Sequence, residues 1–272
     1  MPDWLQAEPT IRLAVFGGVL LTLMVAEAFL PRRHRRIERR RRWTGNLLLA
    51  ALNTIVLRLA APLSAVAAGL WVEEHHFGLL QWITLPGWLR VALAVLALDL
   101  VIYGQHVVFH HVPLLWRLHK VHHADREFDV TTGVRFHTLE ILLSLLIKLA
   151  AVVLLGASAL AVLIFEVVLN ATSMFSHSNL RLPLGVDRVL RRVLVTPDMH
   201  RVHHSVVRRE TNSNFGFNVP WWDWLFRTYR AQPLAGHEAM SIGLNDVPER
   251  DSIRLDRLLL LPLTSNKADS ED

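Results

Sequence analysis

The sequence predicts an all-α integral membrane bundle of about four to five spans, with a histidine-rich cap on the cytoplasmic ends of its helices. Three observations carry this expectation. Apolar residues make up 52% of the 272 and fall in runs of span length rather than in short alternating patches. A block of eight arginines follows the first of these runs. Eleven of the 15 histidines lie between His106 and His204.

Taken in chain order, residues 11–30 form the first run, about 20 residues and long enough to cross a bilayer. It follows an acidic opening (Asp3, Glu8) and precedes arginines, the reverse of a secretory signal, so it reads as a retained anchor. The arginine block, residues 31–42, is expected on the cytoplasmic side. Residues 46–72 are a second apolar stretch, interrupted by Arg58 and containing Pro62 and Gly69. Trp71, Phe77 and Trp82 flank the next linker and suit a membrane interface. Residues 88–109 form a third span that runs into histidines. Residues 139–175 are too long for one span and break at Gly156-Ala-Ser158, which predicts a helical hairpin. Lys148 and Glu166 lie nine residues either side of Ala157, at matching depth on antiparallel arms. Residues 255–261 are a leucine-rich helix candidate, and the acidic end at 265–272 is expected to be disordered. Counting crossings from the arginine block places every histidine motif on the cytoplasmic side. The domain reading is then N-terminal membrane helices over 1–110 with a basic loop at 31–43, a catalytic region over 99–230 that includes the 139–175 hairpin, and a C-terminal tail over 231–272.

Composition narrows the chemistry. The chain has no cysteine, which excludes disulfides, iron–sulfur clusters, thiolate haem and zinc ribbons. The net charge of +5 comes largely from arginines that the positive-inside rule explains, so nucleic acid is not an expected partner. Any metal must sit on His, Asp or Glu. His106-x-x-x-His110, His119-x-x-His122-His123, His177 and His200-x-x-His203-His204 supply nine imidazoles, and residues three and four apart on a helix share a face. Nine ligands exceed what one tetrahedral zinc uses, and the two identical His-x-x-His-His motifs suggest two half-sites and two metals. Imidazole suits iron, zinc and copper, and the spacing does not choose among them. His111 falls outside the pattern.

Five stretches carry a resemblance: Asp99-Leu-Val-Ile-Tyr-Gly-Gln-His106, Leu115-Trp-Arg-Leu-His-Lys-Val-His-His-Ala-Asp125, Arg135-Phe-His-Thr-Leu-Glu140, Thr196-Pro-Asp-Met-His-Arg-Val-His-His-Ser205 and Asn214-Phe-Gly-Phe217. Together they make residues 99–229 similar to the fatty acid hydroxylase/sterol desaturase superfamily of membrane di-iron enzymes. The resemblance implies a helical membrane platform under a cytoplasmic histidine cap that holds two iron ions, with zinc possible in isolated protein. His106, His110, His119, His122, His123, His177, His200, His203 and His204 match the family's ligand positions. His137, in the Arg-x-His segment, is either a further ligand or a group that orients one. The chain departs from the family pattern at Thr138 (often proline), Gly104 (usually aromatic), Trp224 (arginine) and Arg227 (glycine). If that glycine serves a positive φ, arginine is strained there.

The resemblance implies hydroxylation, desaturation or ether cleavage of a lipid with O2. With no flavin, haem or iron–sulfur motif in the chain, electrons are expected from a separate redox partner, a cytochrome, ferredoxin or similar external donor. Asp99 lies seven residues before His106, Asn170 seven before His177, and Glu140 three after His137; each is a candidate to orient a ligand imidazole. Two other function classes share the metal: a zinc-dependent membrane hydrolase, whose His-Glu-x-x-His signature is absent, and a metal transporter or binding protein, which predicts ionisable residues strung along the spans. The expected location is a bacterial inner membrane, since no reticulum-retention signal ends the chain.

Overall fold

The computed structural model describes residues 3–34, 37–60 and 64–264. The fold is helical; among the described residues strand-like pairing is confined to two isolated bridges, Pro31 with Leu180 and Ser205 with Ile242. Seven helices build the body: α1 (Asp3–Phe29), α2 (Arg39–Ala60), α3 (Ala65–His75), α4 (Gly87–His111), α5 (Pro113–His123), α6 (Thr138–Leu155) and α7 (Ala159–Ser176). Seven short helices follow: α8 (Leu184–Leu190), α9 (Pro197–His203), α10 (Arg208–Thr211), α11 (Trp221–Leu225), α12 (Gly236–Ala239), α13 (Glu249–Ile253) and α14 (Leu255–Leu260). Among the described residues, four segments are long and apolar enough to cross a membrane: Ala7–Phe29, Gly87–His111, Thr138–Leu155 and Ala159–Ser176.

The hairpin forms where the sequence places it. Gly156 ends α6 at φ 73°, a left-handed cap that suits glycine, and Ser158 caps α7 by accepting from the Ala161 N–H at 3.3 Å. Gly78 packs on this turn so closely that a Cβ there would meet the Gly156 backbone at 2.4 Å. Gln81 secures the contact by donating to the Gly156 carbonyl at 2.9 Å.

The second apolar stretch is not one helix. α2 ends at Ala60 and α3 starts afresh at Ala65, with Ser64 accepting from the Ala67 N–H at 3.1 Å. Pro62, which lies outside the described residues, cannot donate into a continuous helix. The eleven residues of α3 span about 17 Å, too short to cross alone. Yet the pair passes from one end of the bundle to the other. Arg42 near the start of α2 bonds to Asp125 and Asp129 in the cap, whereas Glu73 in the last turn of α3 accepts from the Ala159 N–H beside the hairpin turn.

Val66, Leu98, Ile102, Val152, Val162 and Phe165 bring α3, α4, α6 and α7 into one buried apolar cluster. Leu13, Leu21, Leu146 and Leu154 stay exposed, as side chains facing lipid do. Trp71, Trp82 and Trp88 are exposed at the hairpin-turn end. The opposite end gathers the arginine block, α5 and α9. There Arg42 is wholly buried, which the positive-inside reading of the block did not anticipate. The expected 231–272 tail contributes α12 to α14, which fold onto the cap: Leu258 is buried and the Ser252 carbonyl accepts from Arg135 at 2.7 Å. The expected disorder at 265–272 lies outside the described residues.

Candidate metal centre

Two groups of imidazoles converge at the cap end of the bundle. His106, His110, His119, His123 and His203 form one, and His122, His177, His200 and His204 form the other; within each, one ligand nitrogen per residue lies within 4.8 Å of all the rest. All are buried except the half-buried His110. Nε2 atoms face one another at 3.1 Å between His106 and His119, 3.1 Å between His122 and His177, and 3.0 Å between His177 and His200.

The two His-x-x-His-His motifs do not each build one half-site. Successive helical residues turn about 100°, so i and i+4 share a direction while i+3 diverges from i+4. His119 and His123 therefore enter the first group and His122 the second. In α9 the arrangement is inverted: His200 and His204 enter the second group and His203 the first. Each motif straddles both groups. His123 and His204 stack between them, with ring centroids 4.6 Å apart and planes 17° apart.

Oxygen acceptors fix the outward nitrogens. Nδ1 of His106 donates to the Phe215 carbonyl at 2.8 Å, His122 to Arg135 at 3.1 Å, His177 to Ser173 at 2.7 Å and His203 to Ser213 at 2.7 Å. His119 Nδ1 meets Glu140 Oε1 at 2.6 Å, and His110 Nδ1 meets Asn212 Oδ1 at 3.3 Å. A proton held on Nδ1 leaves Nε2 as a free lone pair. Burial, joined by repulsion between imidazoles, keeps His122, His123, His200 and His204 well below the ordinary histidine range; burial lowers His177 to about 4 and His203 to about 3. Neutral rings are the form that binds metal. Nε2 of His110, His123, His203 and His204 is buried with no hydrogen-bond partner, a costly state that a metal ion would relieve. Nine imidazoles in two convergent groups fit two metal ions of the kind that accept nitrogen ligands.

The other candidates occupy distinct positions. His137 stands outside both groups; it caps α6, accepting from the Leu139 N–H, and its Nε2 lies 3.2 Å from the Leu259 carbonyl. His111 is exposed. Asp99 accepts from the Trp222 indole at 2.8 Å and the Asn218 N–H at 3.3 Å, tying α4 to the 212–230 segment rather than to an imidazole. Asn170 donates to the Glu166 carbonyl one turn back. Sequence reasoning missed Asp223. It accepts from the N–H groups of Phe215 and Gly216 and from the Thr228 hydroxyl, holding the loop whose carbonyl orients His106. Burial pushes its carboxyl up to about 6. The Trp221-Trp-Asp-Trp stretch was visible in sequence, but carbonyl acceptors carry no side-chain signal.

Beneath the histidines lies a cavity of about 330 Å³. His106, His119 and Glu140 line one end; Phe109, Ile141, Leu145, Leu169 and Phe217 line its sides; Arg12, Lys148 and Glu166 line the other end. Lys148 and Glu166, at matching depth in the sequence, contact each other, and Arg12 of α1 contacts the same carboxylate.

The fatty acid hydroxylase family model matches residues 91–228, about half of the chain. The ornithine lipid hydroxylase OlsE of Rhizobium tropici is 32% identical over 161 residues, covering 59% of this chain and 46% of that protein. The alkylglycerol monooxygenase of Homo sapiens is 29% identical over 161 residues, covering 59% and 34%. The cholesterol 25-hydroxylase of Rattus norvegicus is 28% identical over 146 residues, covering 53% and 48%. The chain thus spans less than half the length of these relatives. No solved structure matches it. With the matched segment carrying all nine convergent imidazoles, the chain belongs to the fatty acid hydroxylase family.

Proposed function

We propose that the protein is a membrane di-iron oxygenase that hydroxylates or desaturates a lipid, using O2 and electrons from a separate redox partner. The observation that carries this is the pair of imidazole groups, one of which opens through His106 and His119 onto a largely apolar cavity. The names of the three relatives given above, two hydroxylases and a monooxygenase, point the same way. His106, His110, His119, His123 and His203 would hold one iron and His122, His177, His200 and His204 the other. When bound, the two irons supply O2 activation and cleavage of a C–H bond.

The chain's own residues do the rest. The carbonyls of Phe215, Arg135, Ser173 and Ser213, with Glu140, keep the donor nitrogens aimed inward. Phe109, Leu145, Leu169 and Phe217 present an apolar chain to the head of the cavity and exclude water. Asp99, Glu140 and Asn170 act by positioning: Asp99 and Glu140 on the site, Asn170 on the cavity wall. His137 holds the α6 start rather than a metal. Residues 99–230 are the catalytic region, anchored by 1–110 and closed by the 231–272 segment. Steering by the basic cap end favours an acidic redox partner. The positive-inside rule puts that end in the cytoplasm, and a bacterial inner membrane fits.

The test is lipid profiling of cells expressing the protein against His203→Ala. A new oxygenated or desaturated lipid present only with wild-type protein is expected. An unchanged profile with iron-loaded wild-type protein, or equal product from both, contradicts the reading.

A further inference from the structure

The cavity ends in charge. On its wall Glu166 of α7 is contacted by Lys148 of α6 and by Arg12 of α1, and Arg12 also pairs with Glu8 one turn earlier. A charge at bilayer depth costs about 2.5–3.5 kcal/mol on insertion scales, so such residues pair, face inward and mark function. A clamp between helices satisfies pairing at any seam. This one instead lines the same cavity that His106 and His119 line at the other end. Lys148 lies eight residues after Glu140, the residue that holds His119, so their backbone positions are about 12 Å apart along α6. Between them Gln105 and Ser144, bonded at 3.1 Å, add a polar step on a wall that also carries Asn53, Thr54, Asn170 and Ser173.

The charges select the ligand. Arg12 and Lys148 balance Glu8 and Glu166, so the cluster is neutral overall. An added carboxylate would leave one buried charge uncompensated, which is costly. An alkyl terminus would leave the cluster's polar atoms facing hydrocarbon. A hydroxyl accepts from Arg12 or Lys148 and donates to Glu166, and adds no charge.

We propose that the Arg12–Glu166–Lys148 cluster is a binding subsite for a hydroxyl-class polar group on the lipid substrate, at the end of the cavity away from the histidine centre. The proposal rests on the lipid-oxygenase reading and names its substrate class: a lipid carrying an alcohol remote from the oxidised position.

The test measures binding to the purified full chain in detergent from the rise in unfolding temperature with dodecanol, dodecane and dodecanoate. Comparing protein forms cancels probe partitioning. The ratio of dodecanol to dodecane affinity should be about tenfold higher for wild type than for the Lys148→Met/Glu166→Gln double variant. Arg12→Gln carries the same comparison if the double variant does not fold. Equal affinity of wild type for dodecanol and dodecane, an unchanged ratio in the variants, or dodecanoate binding tighter than dodecanol would overturn the subsite. An unchanged ratio with lowered stability would make the cluster a helix clamp. Because binding is read without turnover, hydroxyl preference in a protein that oxidises no lipid sinks the oxygenase reading alone, and lipid turnover without hydroxyl preference sinks the subsite alone.

Discussion

Glu140 Oε1 lies 2.6 Å from His119 Nδ1, and both side chains are buried. It is the one carboxylate that touches an imidazole of the centre among the described residues. The contact fixes the tautomer of His119 and the orientation of its ring. Glu140→Ala should weaken iron binding by about 10–100-fold, the usual effect of losing such a partner. Glu140→Gln, whose amide oxygen still accepts, should keep most of it. Iron content after dialysis against a chelator checks both. Wild-type retention by Glu140→Ala would show that His119 needs no such support.

A second consequence concerns the cap. Arg42 donates to Asp125 at 2.6 and 3.1 Å and to Asp129 at 2.8 Å, with all three side chains buried. Removing one partner of such a network strands the others, so Arg42→Met should cost about 3–5 kcal/mol. Burial works to raise the Asp129 carboxyl, but the Arg42 charge and hydrogen bonds outweigh it and hold the group below the ordinary carboxylate range. A depressed folded value means the stabilisation is present above the unfolded value of about 3.9 and is lost as pH falls through the folded one. The unfolding temperature of wild type should therefore fall as the pH drops below about 4. An unfolding temperature for Arg42→Met equal to wild type at neutral pH would contradict this account.

How much was legible depended on where the information sits. Periodicity and Gly156-Ala-Ser158 were enough to place the hairpin, because a left-handed glycine and a serine cap are local chemistry. The Lys148–Glu166 pairing followed from equal distances to that turn. Arg12 did not, because its approach from α1 is tertiary. The nine imidazoles were legible as a set, but their partition between groups was not. Identical spacing suggested one motif per metal, whereas helix rotation sends His122 and His203 to the group opposite their neighbours. The acceptors at Phe215, Ser213 and Arg135 are backbone carbonyls, which every residue possesses, so spacing could not single them out.

Arg227 offers a prediction of the opposite sign. It stands where the family pattern has glycine and adopts φ 61°, just after α11. A left-handed backbone costs a side-chain-bearing residue about 1–2 kcal/mol, and added glycine freedom in the unfolded chain takes back about 0.4–1 kcal/mol. Arg227→Gly should therefore stabilise by roughly 0.5–1 kcal/mol, seen as a small rise in unfolding temperature. A fall would mean that the arginine side chain contributes more than its backbone costs.

The most direct test is elemental analysis of full-length protein purified from iron-replete cells, alongside His122→Ala and His203→Ala. These variants remove one imidazole from each of the two groups. Wild type should carry about two irons per chain, one for each convergent group, and each variant should lose metal while remaining in the membrane. One tightly held zinc per chain, with no capacity for a second ion, would contradict the di-metal centre.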